Sequence, residues 1–125
     1  MKPNILVTGG AGYIGSHVCK TLYQCGYTPI TYDNLENGHK WAVQWGPLVK
    51  GDIADKIKLN HVFLKYKPYA VIHLAAFALV GESVKDPKKY YQNNVAGSLV
   101  LLETMLEHNV KKIIFSSTCA TYGLP

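Results

Sequence analysis

Arginine is missing from all 125 residues: each of the 13 cationic side chains is a lysine, set against eight Asp and Glu. The planar fork that grips a phosphate with two parallel bonds is therefore excluded. The lysines are scattered apart from Lys88-Lys89 and Lys111-Lys112, so the formal charge of +5 describes a solvated surface rather than a nucleic-acid groove. Cysteine is scarce. Cys19, Cys25 and Cys119 are odd in number, widely spaced and without a CxxC pair, which excludes a disulfide framework and points to a reduced compartment with buried or half-buried thiols. The five His and three Cys show no tight ligand spacing, so no metal site is expected. Long apolar runs are lacking too: none reaches the roughly 18 residues of a membrane span, and residues 1–4 lead into a short strand without a secretory signal. A cytoplasmic chain with neither a membrane nor a nucleic-acid partner is expected.

What is present alternates between two periods. Residues 5–8 read as a strand, 13–25 as a helix, 28–32 as a strand and 33–46 as a polar loop. Residues 47–50 form a short third strand. Asp55 caps a helix with apolar positions Leu59, Val62, Phe63 and Tyr66, and Lys67-Pro68 stops it. Residues 69–74 make a largely apolar run interrupted by His73, as suits a central parallel strand covered on both faces. Asp86-Pro87 opens a long helix through Tyr90, Tyr91, Val95, Leu99, Leu102 and Leu106 to about residue 108, and residues 112–116 supply a fifth strand. With 48% of its residues apolar, the chain supports one domain over residues 1–125. Right-handed crossovers then give an α/β, Rossmann-like, doubly wound parallel sheet of order 3-2-1-4-5.

Chemistry collects at the strand ends. Gly9, Gly12 and Gly15 in Thr8-Gly9-Gly10-Ala11-Gly12-Tyr13-Ile14-Gly15 follow the first strand and open the first helix. Such a turn lets the backbone approach a pyrophosphate while helix amides and dipole face the anion. Asp33 ends the second strand at about the 20-residue separation where an acidic side chain accepts from an adenosine ribose. An acid there without arginine favours NAD over NADP, although Lys40 blurs that preference. Gly51-Asp52-Ile53, Leu74-Ala75-Ala76 and Ser116-Ser117-Thr118 fall at the remaining strand ends, so five ends face one crevice.

These blocks, with Val80-Gly81-Glu82-Ser83-Val84 and Tyr90-Tyr91-Gln92-Asn93-Asn94, resemble the amino-terminal half of the UDP-glucose (UDP-galactose) 4-epimerases, a family of extended short-chain dehydrogenase/reductases. The resemblance implies NAD as cofactor, a UDP-sugar substrate and a place in galactose metabolism. It implies that Tyr13 and Ile14 contact the pyrophosphate, that Asp33, Asn34, Leu35, Glu36, Asn37 and Gly38 surround the adenosine ribose, and that Asp52 and Ile53 meet the adenine. Leu74, Ala75, Ala76, Phe77, Ala78 and Asn93 would line the rest of NAD, with Thr118 as the catalytic-site residue bonded to the sugar. A homodimer through helices of this domain is also implied.

Plainer readings of the same residues stay open. Asp33 also suits an Asx-turn at a strand end, Asp52 a turn, and Asn93 a helix surface. His73 reads as a satisfied core histidine, His17 as structural, and the Tyr90-Tyr91 pair and the Leu99, Leu102, Leu106 stripe as core or subunit interface. Two departures from the family are plain. None of the nine tyrosines has a lysine four residues later, so the Tyr-x-x-x-Lys base is missing, and Ala78 stands where family members often carry lysine. The expectation is an incomplete dinucleotide domain, truncated before its later strands and substrate domain, with little or no epimerase activity alone. A non-catalytic NAD-binding module or a decayed gene product is the alternative. A sugar-nucleotide 4,6-dehydratase is disfavoured, because Cys119 and Ala120 after Thr118 supply no acid.

Overall fold

The computed structural model describes residues 2–35, 38–74 and 95–115. Five parallel strands, β1 (Asn4–Thr8), β2 (Thr28–Asp33), β3 (Leu48–Lys50), β4 (Ala70–His73) and β5 (Ile113–Phe115), make one sheet in the order β3-β2-β1-β4-β5, as the alternation of periods requires. The register sets Thr8 opposite Tyr32 on one side and His73 on the other, so the ends of β1, β2 and β4 lie level. Helices α1 (Tyr13–Gln24), α2 (Lys56–Tyr66) and α3 (Gly97–Glu107) cover the sheet. The polar loop after β2 contains a 3-10 turn at Lys40–Ala42.

Alternation along each strand decides which side a residue serves. Leu6, Ile30, Tyr32 and Val71 pack with Leu59, Val62 and Phe63 of α2 and Leu101 and Met105 of α3. On the opposite side Ile5 and Val7 pack with Cys19 of α1, joined by Leu22, Ala70 and Ile72. Each fully buried Leu or Phe contributes about 2 kcal/mol by leaving water. Asp55 caps α2 by accepting from the Lys58 N–H at 3.1 Å, and Lys67 ends the helix in the left-handed region at φ 47°. The α2 and α3 pair is closed at its rim by exposed contacts from Lys56 Nζ to Glu107 at 2.8 Å and Glu103 at 3.3 Å. At such exposure these serve orientation more than stability.

Three expectations change. The Leu99, Leu102 and Leu106 stripe is exposed, which removes the core reading and keeps the subunit-interface one, and the buried side of α3 is Gly97, Leu101, Thr104 and Met105. Residues 97–107 carry apolar side chains on several sides, so helical spacing alone selects no unique face. Cys25 lies exposed just beyond α1, whereas Cys19 is buried. Tyr69 stands exposed before β4. Asp86-Pro87, Tyr90, Tyr91 and Cys119 lie outside the described residues. No helix among the described residues is long and apolar enough to cross a membrane.

His73, 2% exposed, bonds through both ring nitrogens, with Nδ1 2.6 Å from Thr8 Oγ1 and Nε2 3.0 Å from Ser98 Oγ. It is the satisfied core histidine expected from its strand. Burial pushes its pKa from 6.5 down to about 4.

Two outcomes follow for stability. Asp55→Ala removes the α2 cap, and urea unfolding should show a loss of about 1 kcal/mol. The unfolded chain binds a proton at His73 below pH 6.5 that the folded chain refuses until about pH 4. The contribution of the neutral ring is therefore complete above 6.5 and is lost as pH falls toward 4, by about 3 kcal/mol in all. Urea midpoints across that window should fall with acid in the wild type, and in His73→Phe the part of the slope owed to this residue should vanish.

Candidate functional site

The glycine turn is built by three different demands. Gly9 extends the β1 ladder, donating to the Tyr32 carbonyl at 2.9 Å, and then turns the chain at φ 76°, a region closed to most side chains. Gly15 allows α1 to settle on that turn, since a Cβ there would stand 2.1 Å from the Gly9 carbonyl oxygen. Gly12 differs: its backbone is extended at φ −80°, and a Cβ would meet nothing closer than the Gly9 oxygen at 3.5 Å. Among the described residues no packing contact demands glycine at position 12.

The first turn of α1 is open in the same direction. Its first internal bond runs from the Ser16 N–H to the Gly12 carbonyl, no side chain caps it, and no acid sits in its first turn. The amides of Tyr13, Ile14 and Gly15 therefore have no acceptor among the described residues, and the positive end of the helix dipole adds to them. The Tyr13 and Ile14 side chains are exposed beside this opening, and Tyr13 meets His17 edge to face with centroids 4.8 Å apart.

Asp33 joins two walls of the crevice. Oδ2 accepts from the Ala11 N–H at 3.0 Å and Oδ1 from the Leu35 N–H at 2.8 Å. The second bond is the Asx-turn considered from sequence, and it supports Leu35 at φ 62°. A carboxylate with two acceptor sites on each oxygen keeps capacity for further donors after both bonds. Asn34 is half-buried next to it. Gly38 packs on Ala11, whose carbonyl accepts from the His39 N–H at 3.0 Å. His39 and the exposed Trp41 stack with centroids 5.2 Å apart.

The neighbouring strand end is tied in by Tyr32, whose hydroxyl donates to the Asp52 carbonyl at 2.6 Å. Burial foremost, then the carboxylates of Asp55 and Asp52, push the Tyr32 pKa upward, so this hydroxyl remains a donor. Asp52 is exposed and its Oδ1 accepts from the Ala54 N–H at 2.8 Å, the turn geometry weighed for it above. The Ile53 side chain, 4% exposed, belongs to the core with Leu59 and Phe63. Leu74 closes the far wall, its N–H reaching the Thr8 carbonyl at 2.9 Å and Thr8 Oγ1 at 3.1 Å.

The fold thus brings Gly9, Gly12, Tyr13, Ile14, Gly15, Asp33, Asn34, Leu35, Gly38, Asp52 and Leu74 to one end of the sheet. Glu36, Asn37, Ala75, Ala76, Phe77, Ala78, Asn93 and Thr118 lie outside the described residues. Sequence reasoning missed the Tyr32 hydroxyl and the Thr8, His73 and Ser98 chain. Their partners are remote along the chain, and no local pattern announces them. Among the described residues no group of His, Cys, Asp and Glu could hold a metal.

Known proteins agree with this geometry. Residues 5–125 match the NAD dependent epimerase/dehydratase family. A UDP-glucose 4-epimerase of Rhizobium meliloti (strain 1021) is 57% identical over 122 residues, which are 98% of this chain and 37% of that protein. The crystal structure of a Brucella ovis UDP-glucose 4-epimerase in complex with NAD superposes with a TM-score of 0.93 at 55% identity, over 98% of this chain and 38% of that one. A Thermotoga maritima UDP-glucose 4-epimerase with UDP-glucose gives a TM-score of 0.89 at 45% identity, over 92% of this chain and 38% of that one. This chain therefore spans a little over a third of the length of the curated relatives it matches. By sequence and by fold, the chain belongs to the NAD dependent epimerase/dehydratase family.

Proposed function

We propose that this chain supplies the NAD-binding part of a UDP-glucose 4-epimerase, with the open amides of Tyr13, Ile14 and Gly15 holding the diphosphate. Gly12 carries the reading, being the one glycine of the turn that internal packing does not demand. Asp33 receives the adenosine ribose hydroxyls, with Asn34, Leu35, Glu36, Asn37 and Gly38 around it, and Asp52 and the Ile53 backbone flank the adenine. Leu74, Ala75, Ala76, Phe77, Ala78 and Asn93 line the remaining cofactor surface, and Thr118 bonds the sugar. Bound there, NAD would supply the hydride acceptor and donor for the sugar C4. The proton at the sugar 4-hydroxyl needs a base that these 125 residues do not supply as Tyr-x-x-x-Lys.

The exposed positions Leu99, Leu102 and Leu106 on α3, with Val95 just before it, recur at spacings of four, three and four residues. A second copy of the chain is the partner we assign to them, giving a homodimer. Free thiols at Cys19 and Cys25 suit a cytoplasmic setting.

Two measurements test these assignments. Calorimetric titration of the folded chain should give saturable NAD binding, with NADP at least about tenfold weaker because Asp33 repels a 2′-phosphate. Gly12→Ala should stay folded and lose NAD affinity by about tenfold or more, whereas Gly15→Ala should fail to fold; a folded wild type without NAD saturation contradicts the proposal. Sedimentation should show a dimer that Leu99→Glu with Leu106→Glu converts to monomer.

A further inference from the structure

The ends of β1 and β4 form two walls of the proposed cofactor crevice, and one side chain connects them to α3. Thr8 is the last residue of β1, immediately before Gly9, and its hydroxyl oxygen lies 3.1 Å from the Leu74 N–H. The same oxygen is 2.6 Å from His73 Nδ1. Across the ring, Nε2 is 3.0 Å from Ser98 Oγ, one residue inside α3. All three groups lie on the α2 and α3 side of the sheet, because Thr8 shares its parity with Leu6 and His73 with Val71.

We propose that His73 is a positioning residue of the nucleotide site: its two bonds orient the Thr8 hydroxyl toward the Leu74 amide and lock both crevice walls to α3. The inference rests on the NAD-binding reading above. A neutral imidazole offers one donor and one acceptor, so one of the two hydroxyls must donate to the ring and the other must accept from it. The chain of bonds therefore has a direction. Reversal at one end forces reversal at the other, which couples the rotamer of Thr8 to that of Ser98. Burial keeps the ring in this neutral form at physiological pH.

A phenylalanine would fill the core as well as histidine does, yet could orient neither hydroxyl. With the ring gone each hydroxyl loses one of its partners, and its remaining contacts alone set its direction. The turn at Gly9 and the amide of Leu74 are the first elements affected, since both adjoin Thr8. α3 also carries the exposed Leu99, Leu102 and Leu106, so whatever covers that stripe shares a rigid connection with the crevice through Ser98.

Four variants test this: His73→Phe, Thr8→Val, Ser98→Ala and the His73→Phe/Thr8→Val pair. NAD affinity is read by titration and global stability by urea unfolding. His73→Phe and Thr8→Val should each weaken NAD binding by about tenfold while unfolding stays cooperative, and the pair should be no weaker than the worse single variant. Wild-type affinity in folded His73→Phe, or additive losses in the pair, would overturn the proposal. If His73→Phe does not fold, Thr8→Val and Ser98→Ala decide, both weakening NAD if the chain of bonds matters and neither doing so if it does not. A folded wild type that binds no NAD removes the functional reading only. Hydrogen exchange then decides the positioning role: at the Leu74 amide it should quicken about tenfold in Ser98→Ala relative to wild type, and unchanged exchange rejects it.

Discussion

A single carboxylate holds the mouth of the sheet in shape. Asp33 stands at the end of β2 on the α1 side, where one oxygen takes the Ala11 amide from the glycine turn and the other takes the Leu35 amide from the loop that follows. The same two segments meet again where the His39 N–H donates to the Ala11 carbonyl and Gly38 packs on Ala11. The turn has given up side chains at positions 9, 10, 12 and 15, and Leu35 sits at a left-handed φ that costs a branched residue about 1 kcal/mol. Charge-assisted bonds to backbone amides are the stronger kind, and at 8% exposure the carboxylate is weakly screened. The Asx-turn and the ligand-binding readings of Asp33 are thus not rivals. The turn bond fixes the direction in which the remaining lone pairs face.

Strand parity then distributes duties along β1, β2 and β4. On the α1 side, Thr31 contacts Cys19 Sγ at 3.6 Å and Asp33 reaches Ala11. On the other side, Tyr32 and His73 send polar atoms from an apolar core toward strand ends. In each case the residue is buried for its carbon atoms and positioned for its polar tip, as aromatic residues with a single polar atom allow. Such bonds cost the core little, because each buried polar atom is paired. Among the described residues, no buried side-chain nitrogen or oxygen lacks a partner.

Much of this was legible in the sequence, for identifiable reasons. β1 and the turn show themselves through an apolar run broken by Thr8 and glycines, and α2 through an Asp55 cap and a Lys67-Pro68 stop. These are local signals, and the structure honours them to within a residue or two. The buried face of α3 was not legible, because Leu99, Leu101, Leu102, Met105 and Leu106 leave no single apolar stripe to choose. Nor was the exposure of Cys25, which depends on where α1 ends rather than on the thiol. In the site, Gly9, Gly15, Asp33 and Leu74 stand where their motifs put them. Ile53 shows the limit: its motif places it beside the crevice, while its side chain is committed to the core.

The lack of arginine acquires a physical sense at this point. A diphosphate can be held by mobile cations or by fixed amides, and the two differ in entropy. A lysine or arginine side chain loses up to about 2 kcal/mol of rotamer freedom when it is immobilised on a ligand. Amides of a helix already folded lose nothing further, and the dipole behind them contributes about half a unit charge at no extra conformational cost. The cost has been met in advance, in the left-handed turn at Gly9 and the close approach at Gly15. That arrangement works only while the turn is rigid, which returns the dependence to Asp33 and to the Thr8 hydroxyl. The proposed recognition is carried by backbone and calls on no lysine side chain.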